Sequence, residues 1–425
     1  MKSILLFFVL FLTLTFATFT QNYWTQIAQL PSNIECFTNG SGSTLFAGTL
    51  GSGVYISSNG GDNWSQVNNG LTNLRIYSLV WGPTGLFAGT DTSGVFRSIN
   101  NGNNWTHTNL TTHFKVKALA IGTDSSVYAA AFGDGLYKST NNGANWSHSL
   151  PNDSAEALAV HPGGNLFLGS WNPNAIFRST DKGITWTIVD SGAHAFNTIK
   201  ISPYNNDVFG ITGALITDGI IGDIIVRSTD AGGSWTAPYS FATSSYGMVI
   251  NSLGHIFVGR YIGAWESTDN GLNWQVHNSG INTNNGILLS YCINAGGYIL
   301  AGQETGTIYR SVQSTIGIIK ISSEVPKDFL LSQNYPNPFN PSTKIKFEIP
   351  PSPLSERGVG GFTKLIIYDL LGHEVTTLIN EQLMPGTYEV EWSASTGNRI
   401  YSSGIYFYRL SVGSFIETRK MILVK

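Results

Sequence analysis

Apolar residues of this chain gather in short runs separated by Gly, Ser, Asn and Asp, and one run keeps returning. It is L-F-A-G-T at Leu45 and again at Leu86, V-Y-A-A-A at Val127, L-F-L-G-S at Leu166, I-F-V-G-R at Ile256 and I-L-A-G-Q at Ile299. Short aliphatic and aromatic runs between turn formers predict strands. Each leads into a second run, G-V-Y-I-S, G-V-F-R-S, G-L-Y-K-S or G-T-I-Y-R-S. An apolar stretch precedes the pair (Ser78 to Val80, Ala118 to Ile121, Ala157 to Val160) and a further segment follows it. The pattern therefore predicts four short strands per unit, the make-up of a propeller blade.

A polar box follows the third strand of each unit: S-S-N-G-G-D-N-W, S-I-N-N-G-N-N-W, S-T-N-N-G-A-N-W, S-T-D-K-G-I-T-W, S-T-D-A-G-G-S-W and S-T-D-N-G-L-N-W. Its four fixed positions are Ser57, Asn59, Gly61 and Trp64 in the first copy, then Ser98, Asn100, Gly102 and Trp105. They return as Ser139, Asn141, Gly143 and Trp146, and as Ser179, Asp181, Gly183 and Trp186. The last two copies are Ser228, Asp230, Gly232 and Trp235, and Ser267, Asp269, Gly271 and Trp274. A spacing of about 40 residues with one longer gap marks a propeller or solenoid. Ser and Asp or Asn bond the backbone of a tight turn, Gly supplies a positive φ, and Trp plugs the unit. The second position is an amide in three copies and a carboxylate in three, so it acts through hydrogen-bond shape, and the boxes are scaffold rather than metal ligands.

The unit from Ile287 to Ser311 lacks its Gly and Trp, while Y-W-T-Q-I at Tyr23 copies N-W-S-Q-V at Asn63. Trp24 is thus expected to replace the missing Trp, with the N-terminal strand completing a seventh blade and removing the open sheet edges. The boxes resemble the Asp-box (BNR) repeat of bacterial neuraminidases, found also in xyloglucan-cleaving endoglucanases, sortilin-type receptors and a photosystem II assembly factor. The resemblance covers residues 21–312 and implies the fold, but enzymes and pure binders share it.

Composition changes little. Of 425 residues, 12% are charged, 48 are Gly, and the net charge of -3 offers nothing to attract nucleic acid or an anionic membrane. At the N-terminus one Lys precedes an apolar run and small residues, so residues 1–20 read as a secretory signal peptide, cut between Ala17 and Gln21. No later segment is apolar for long enough to cross a bilayer. Cys36 and Cys292 fall in the first strands of blades one and seven, neighbours in a closed ring, either as a disulfide or as two buried thiols.

Beyond Val312 the repeat stops. Residues 313–328 read as a linker, and 329–425 as alternating strands between Gly and Pro turns, enough for a small immunoglobulin-like β-sandwich. Pro336, Pro338 and Pro341 exclude a central strand there. Asn334 to Thr343, Tyr368 to Gly372, Pro385 to Tyr388, Ser403 to Leu410 and Lys420 to Lys425 closely resemble the type A C-terminal sorting domain of the type IX (Por) secretion system of Bacteroidetes-like bacteria. One departure is the longer turn from Pro350 to Gly361. That resemblance implies the type IX machinery as partner and delivery to the cell surface or medium. The fold expected overall is all-β, a seven-bladed β-propeller followed by a small sandwich.

A sialidase needs converging arginines, but Arg97, Arg178, Arg227 and Arg310 precede the box Ser at equivalent scaffold slots, the slot Lys138 fills in blade three. Arg75 and Arg260 cannot make a triad. The face opposite the boxes is expected to carry Asp91, Asp134, Glu156, Asp218, Asp223 and Glu304, any two of which at suitable separation would serve as acid and base of a secreted polysaccharide hydrolase. The same acids equally suit ordinary turns. Trp171, His194, Tyr246, Arg260 and Tyr261 fall on that face beside Asp91, Asp134 and Glu304, a set suited to stacking on a sugar or gripping a peptide. No catalytic residue, metal site or cofactor is assigned. The expected role is binding or display of an extracellular glycan or protein. Blade five carries the one long insertion, Gly210 to Asp223, and repeat insertions commonly lie on the functional face.

Overall fold

The computed structural model describes residues 22–424 except 111, 151–153, 192–195, 217–219, 242, 252–253, 262, 296, 313–317, 323–325, 352–361, 384 and 397–398. The expected signal peptide therefore lies outside the described residues.

Residues 24–311 form seven four-stranded antiparallel sheets, each built of consecutive strands except the last. The first blade runs Ile34–Asn39, Leu45–Thr49, Gly53–Ser57 and Ser65–Gln66 from inside to outside. The seventh takes Leu288–Ile293, Ile299–Gln303 and Thr307–Ser311 from one end of the array and Trp24–Gln29 from the other. Trp24 pairs with Ser311 and Gln29 with Thr307, so the ring closes through the N-terminal strand. Trp24 is 1% exposed; its backbone N–H donates to Ser279 O at 3.0 Å and its indole N–H to His277 O at 2.7 Å. Trp105 makes the same pair of bonds, to Asn69 O at 2.8 Å and Val67 O at 2.8 Å. The N-terminal Trp thus occupies the place of a box Trp.

Each box is a turn between third and fourth strands held by one hydroxyl. In blade four Ser179 Oγ donates to Asp181 Oδ1 at 2.8 Å and accepts from Gly183 N at 2.7 Å, while Asp181 accepts from Thr185 N at 2.9 Å. Blade one makes the same set with an amide, Ser57 to Asn59 at 2.9 Å and Asn63 N to Asn59 Oδ1 at 3.0 Å. The box Gly is required twice over. Gly143 has φ +87°, and a Cβ there would lie 2.7 Å from Thr108 of the preceding blade. The Arg or Lys before the box Ser lies over an aromatic ring of its own blade, Arg97 over Phe87, Lys138 over Tyr128 and Arg227 over Phe209.

Between blades the strands bury Phe46, Phe87, Phe167, Phe209 and Phe257. The insertion in blade five is a long hairpin, Val208–Ile216 paired to Ile220–Ser228, whose tip lies outside the described residues. Cys36 and Cys292 are free thiols, and burial pushes both up from the ordinary thiol range.

The C-terminal region is a sandwich of two four-stranded sheets. Ile318–Ser322, Gly386–Ser393, Ser342–Ile349 and Leu330–Leu331 form one, and Glu374–Gln382, Phe362–Tyr368, Gly404–Val412 and Phe415–Leu423 the other. The stretch expected to be a linker is therefore partly strand, because the apolar I-I-K-I-S at Ile318–Ser322 finds an edge on Gly386–Ser393. The proline-rich segment runs along the sandwich. Asn334 donates its backbone N–H to Tyr408 Oη at 2.8 Å and its side-chain amide to Thr343 Oγ1 at 2.9 Å, and Phe339 is buried against Trp392. Phe415–Leu423 is the outer strand of its sheet and carries Met421 and Leu423 into the core.

Candidate functional site around the channel mouth

Antiparallel strands put the boxes and the first-to-second-strand turns at one end of every blade. The second-to-third-strand turns and the blade-to-blade connections lie at the other. At that second end each innermost strand loses register with its neighbour near its start: between Ile34 and Cys36, Ile76 and Ser78, Val116 and Ala118, and Ala155 and Ala157. The shift recurs between Phe196 and Thr198, Ser245 and Met248, and Leu288 and Ser290. A bulge leaves a residue unpaired and re-aims its side chain. The bulged residues are Glu35, Tyr77, Lys117, Glu156, Asn197 and Tyr246, with Leu289 in the seventh slot, and all seven line a central channel of about 450 Å³.

Blades one to four form a charged arc. Lys117 Nζ lies 3.7 Å from Glu156 Oε1, and Lys115 and Lys117 both cover the Tyr77 ring, at 5.4 Å and 5.2 Å. Burial raises the Glu156 carboxyl above its ordinary value, opposed by Lys117. Burial likewise raises Glu35, opposed by Lys117, Lys115 and Arg75. Glu156 Oε2 and Asn197 Oδ1 have no hydrogen-bond partner among the described residues. Lys200 stands deeper in the same channel. It is exposed to solvent, and desolvation by the surrounding protein lowers its ammonium pKa, with Cys292 opposing.

The residues expected on this face are partly brought together. Tyr246 lies within electrostatic reach of Asp223, Glu304 and Tyr261, and burial raises its phenol. Tyr261 is 62% exposed and Trp171 57% exposed, on blades six and four. Asp91 is paired to Arg75 at 3.0 Å, and Asp134 accepts from Thr112 at 2.9 Å and Tyr137 at 2.6 Å, so both acids are engaged within their own turns. Asp223 is buried and accepts from Ser245 N. Arg260 is not a surface residue: it is 4% exposed, with its guanidinium 4.1 Å from the Phe241 ring centre and 4.8 Å from that of Trp265. Its long side chain turns inward because two aromatic faces there offer a cation better packing than the turn does. His194 and Asp218 lie outside the described residues.

Sequence reasoning missed Glu35, Tyr77, Lys117, Asn197 and Lys200. The signal was present: I-E-C-F, I-Y-S-L, V-K-A-L, A-E-A-L and F-N-T-I align, and their second letter changes while the frame repeats. Among the described residues no group of three or more His, Cys, Asp or Glu side chains is placed to hold a metal ion, and no helix is long and apolar enough to cross a membrane.

Solved structures share the fold at low identity. The extracellular domain of a putative one-component system of B. thetaiotaomicron matches at 17% identity and TM-score 0.57, over 76% of this chain and 45% of that one. A GH74 xyloglucanase from Xanthomonas campestris matches at 14% identity and TM-score 0.55, over 76% of this chain and 59% of that one. YCF48 bound to D1 peptide matches at 13% identity and TM-score 0.54, over 69% of this chain and 98% of that one. This chain thus spans less than half the length of the first of these. No curated protein matches it. Residues 333–425 match the secretion system C-terminal sorting domain. The chain therefore carries a type IX sorting domain behind its propeller, and it is secreted across the outer membrane to the cell surface or the extracellular space.

Proposed function

We propose that the protein is an Asp-box propeller, sortilin-like in its repeats, that binds or displays an extracellular glycan or protein across the box-free face around the channel mouth. One observation carries this reading: seven equivalent bulged slots hold Glu, Tyr, Lys, Glu, Asn, Tyr and Leu on a frame that otherwise repeats itself. Exposed Trp171 and Tyr261 flank that mouth on the same face, and aromatic rings with a polar edge suit sugar or peptide contact. A similar propeller, YCF48, is bound to a peptide, which supports a protein ligand. The sorting domain supplies delivery through the type IX machinery, and residues 1–20 supply the first crossing as a signal peptide.

The alternative is a polysaccharide hydrolase. Burial raises both Glu35 and Glu156, the condition a general acid needs, and the xyloglucanase shows that a related propeller cleaves glycans. Screening the purified chain against glycan and peptide arrays, with reducing-sugar release measured in parallel, separates the readings. The double variant Trp171→Ala, Tyr261→Ala should lose the ligand that the screen finds. Unchanged affinity in that variant removes the face from consideration, and sugar release abolished by Glu156→Gln establishes the hydrolase.

A further inference from the structure

The two outer faces of the C-terminal sandwich differ. On the sheet of Ser342–Ile349 and Gly386–Ser393 the outward side chains include Lys344, Lys346, Glu348, Glu389 and Glu391, opposite charges set across from one another, and Lys344 pairs with Glu389 at 2.9 Å. That face is hydrophilic and neutralises itself. On the sheet of Phe362–Tyr368, Gly404–Val412 and Phe415–Leu423 the strands alternate, with Tyr406, Tyr408, Leu410 and Met421 turned into the core. The side chains turned outward include six aliphatic or aromatic residues, Ile366, Tyr368, Ile405, Phe407, Ile416 and Ile422, and three cations, Lys364, Arg409 and Lys420. Ile416 is 64% exposed and Ile405 39%. Glu417, the only carboxylate in these three strands, turns to the edge, where it accepts from Leu331 N at 3.2 Å and pairs with Arg419 at 2.8 Å. Glu374 borders the face on the neighbouring strand and takes the Thr377 hydroxyl at 2.5 Å.

We propose that this cationic, apolar face is the surface by which the sorting domain docks on its carrier, and that the outer-membrane machinery meets it with an acidic protein surface edged by apolar side chains. The solvated face of an antiparallel sheet is ordinarily polar, as the opposite sheet is, so six outward apolar side chains call for a cover. Charge says of what kind: three cations with no carboxylate beside them on their own strands repel a basic partner and attract an acidic one. Arg409, on the middle strand of the three, is the fixed point. Its Nε–H donates to Thr418 Oγ1 at 3.0 Å and its guanidinium lies 5.2 Å from the Tyr368 ring centre. The planar group is thereby held in place, and its outer nitrogens form a fork that matches the two oxygens of a carboxylate. A lipid surface fits less well, because a membrane-lying element sinks one continuous apolar face beneath a separate cationic one, whereas here the two kinds interleave. The match of residues 333–425 to a secretion sorting domain supplies the carrier. The face belongs to the sandwich alone, so its failure leaves the reading of the propeller mouth standing.

The test is export of the full chain in a host with the type IX system, read as the fraction outside the cell against the fraction held in the periplasm. Arg409→Glu combined with Lys420→Glu should lower the exported fraction about tenfold or more, because like charges set against each other disfavour the contact. Lys346→Glu, the same reversal on the opposite face, should be exported as the parent is. Denaturant unfolding of each purified chain checks that the sandwich is intact. If the double Glu variant does not fold, Arg409→Gln combined with Lys420→Gln takes its place, with a smaller loss in the same direction. A photo-crosslinking residue in place of Ile416 should join the chain to an outer-membrane protein at an acidic segment, and the double variant should lose that join. Vesicles of phosphatidylglycerol and phosphatidylethanolamine should not carry the chain on flotation. The proposal is overturned if a folded double variant is exported normally, if Lys346→Glu loses export equally, if the crosslink reaches no outer-membrane protein or falls on a basic segment, or if the vesicles carry the parent chain.

Discussion

The two ends of the same blades obey different rules. At one end six turns carry the same Ser, Asn or Asp, Gly and Trp in the same hydrogen bonds. At the other, no two adjacent blades carry the same residue in the bulged slot. The box residues are constrained because each closes a strand turn and packs on the blade before it. A bulged residue has no cross-strand partner, so packing does not dictate its identity and it is free to take up a ligand. Repetition marks what the fold needs, and departure from repetition at equivalent positions marks the surface open to selection for binding.

The comparison can be broken hardest at the closure, on which both ends depend. Trp24→Ala removes a fully buried indole and should cost about 3–5 kcal/mol in denaturant unfolding. An unaltered midpoint would mean that the ring does not need its N-terminal strand. Next is a box hydroxyl: Ser179→Ala leaves the buried Gly183 N–H without its acceptor and should cost about 1–3 kcal/mol.

Acid sharpens the contrast within the box end itself. Hydrogen bonds from Ser234 backbone and side chain, then from Ser228, hold the Asp230 carboxyl at about 2. A carboxyl lowered on folding stabilises above its unfolded value of about 4, and that contribution is lost as pH falls toward 2. Asp230→Asn should therefore flatten part of the acid limb of the stability curve, while substitution of Asn100, already an amide, by Ala should leave its slope unchanged. Equal slopes in the Asp230→Asn variant and the parent would show that the box acts without its charge. Smallest in stability are the rim changes: Trp171→Ala and Tyr261→Ala should each stay within about 0.5 kcal/mol of the parent while reducing ligand binding. A large fall in melting temperature would place these rings in the scaffold.

The sequence by itself determined the parts of this protein that rest on local chemistry. Strand runs, box turns, the missing Trp of the last blade and its replacement at Trp24, and the sorting-domain motifs around Asn334 and Phe339 are all readable because neighbouring residues carry the information. What only the tertiary structure decided depends on blades far apart in the chain meeting at one axis. Glu35, Lys117 and Glu156 sit in ordinary strand text, and only closure of the ring makes them neighbours. Arg260 looks like a turn residue until Phe241 and Trp265 are seen on its two sides. Lys200 is one polar letter in F-N-T-I-K-I, and only the meeting of the innermost strands at one axis puts it in the same channel as Glu35, Lys117 and Glu156, because that channel is lined by residues from all seven blades.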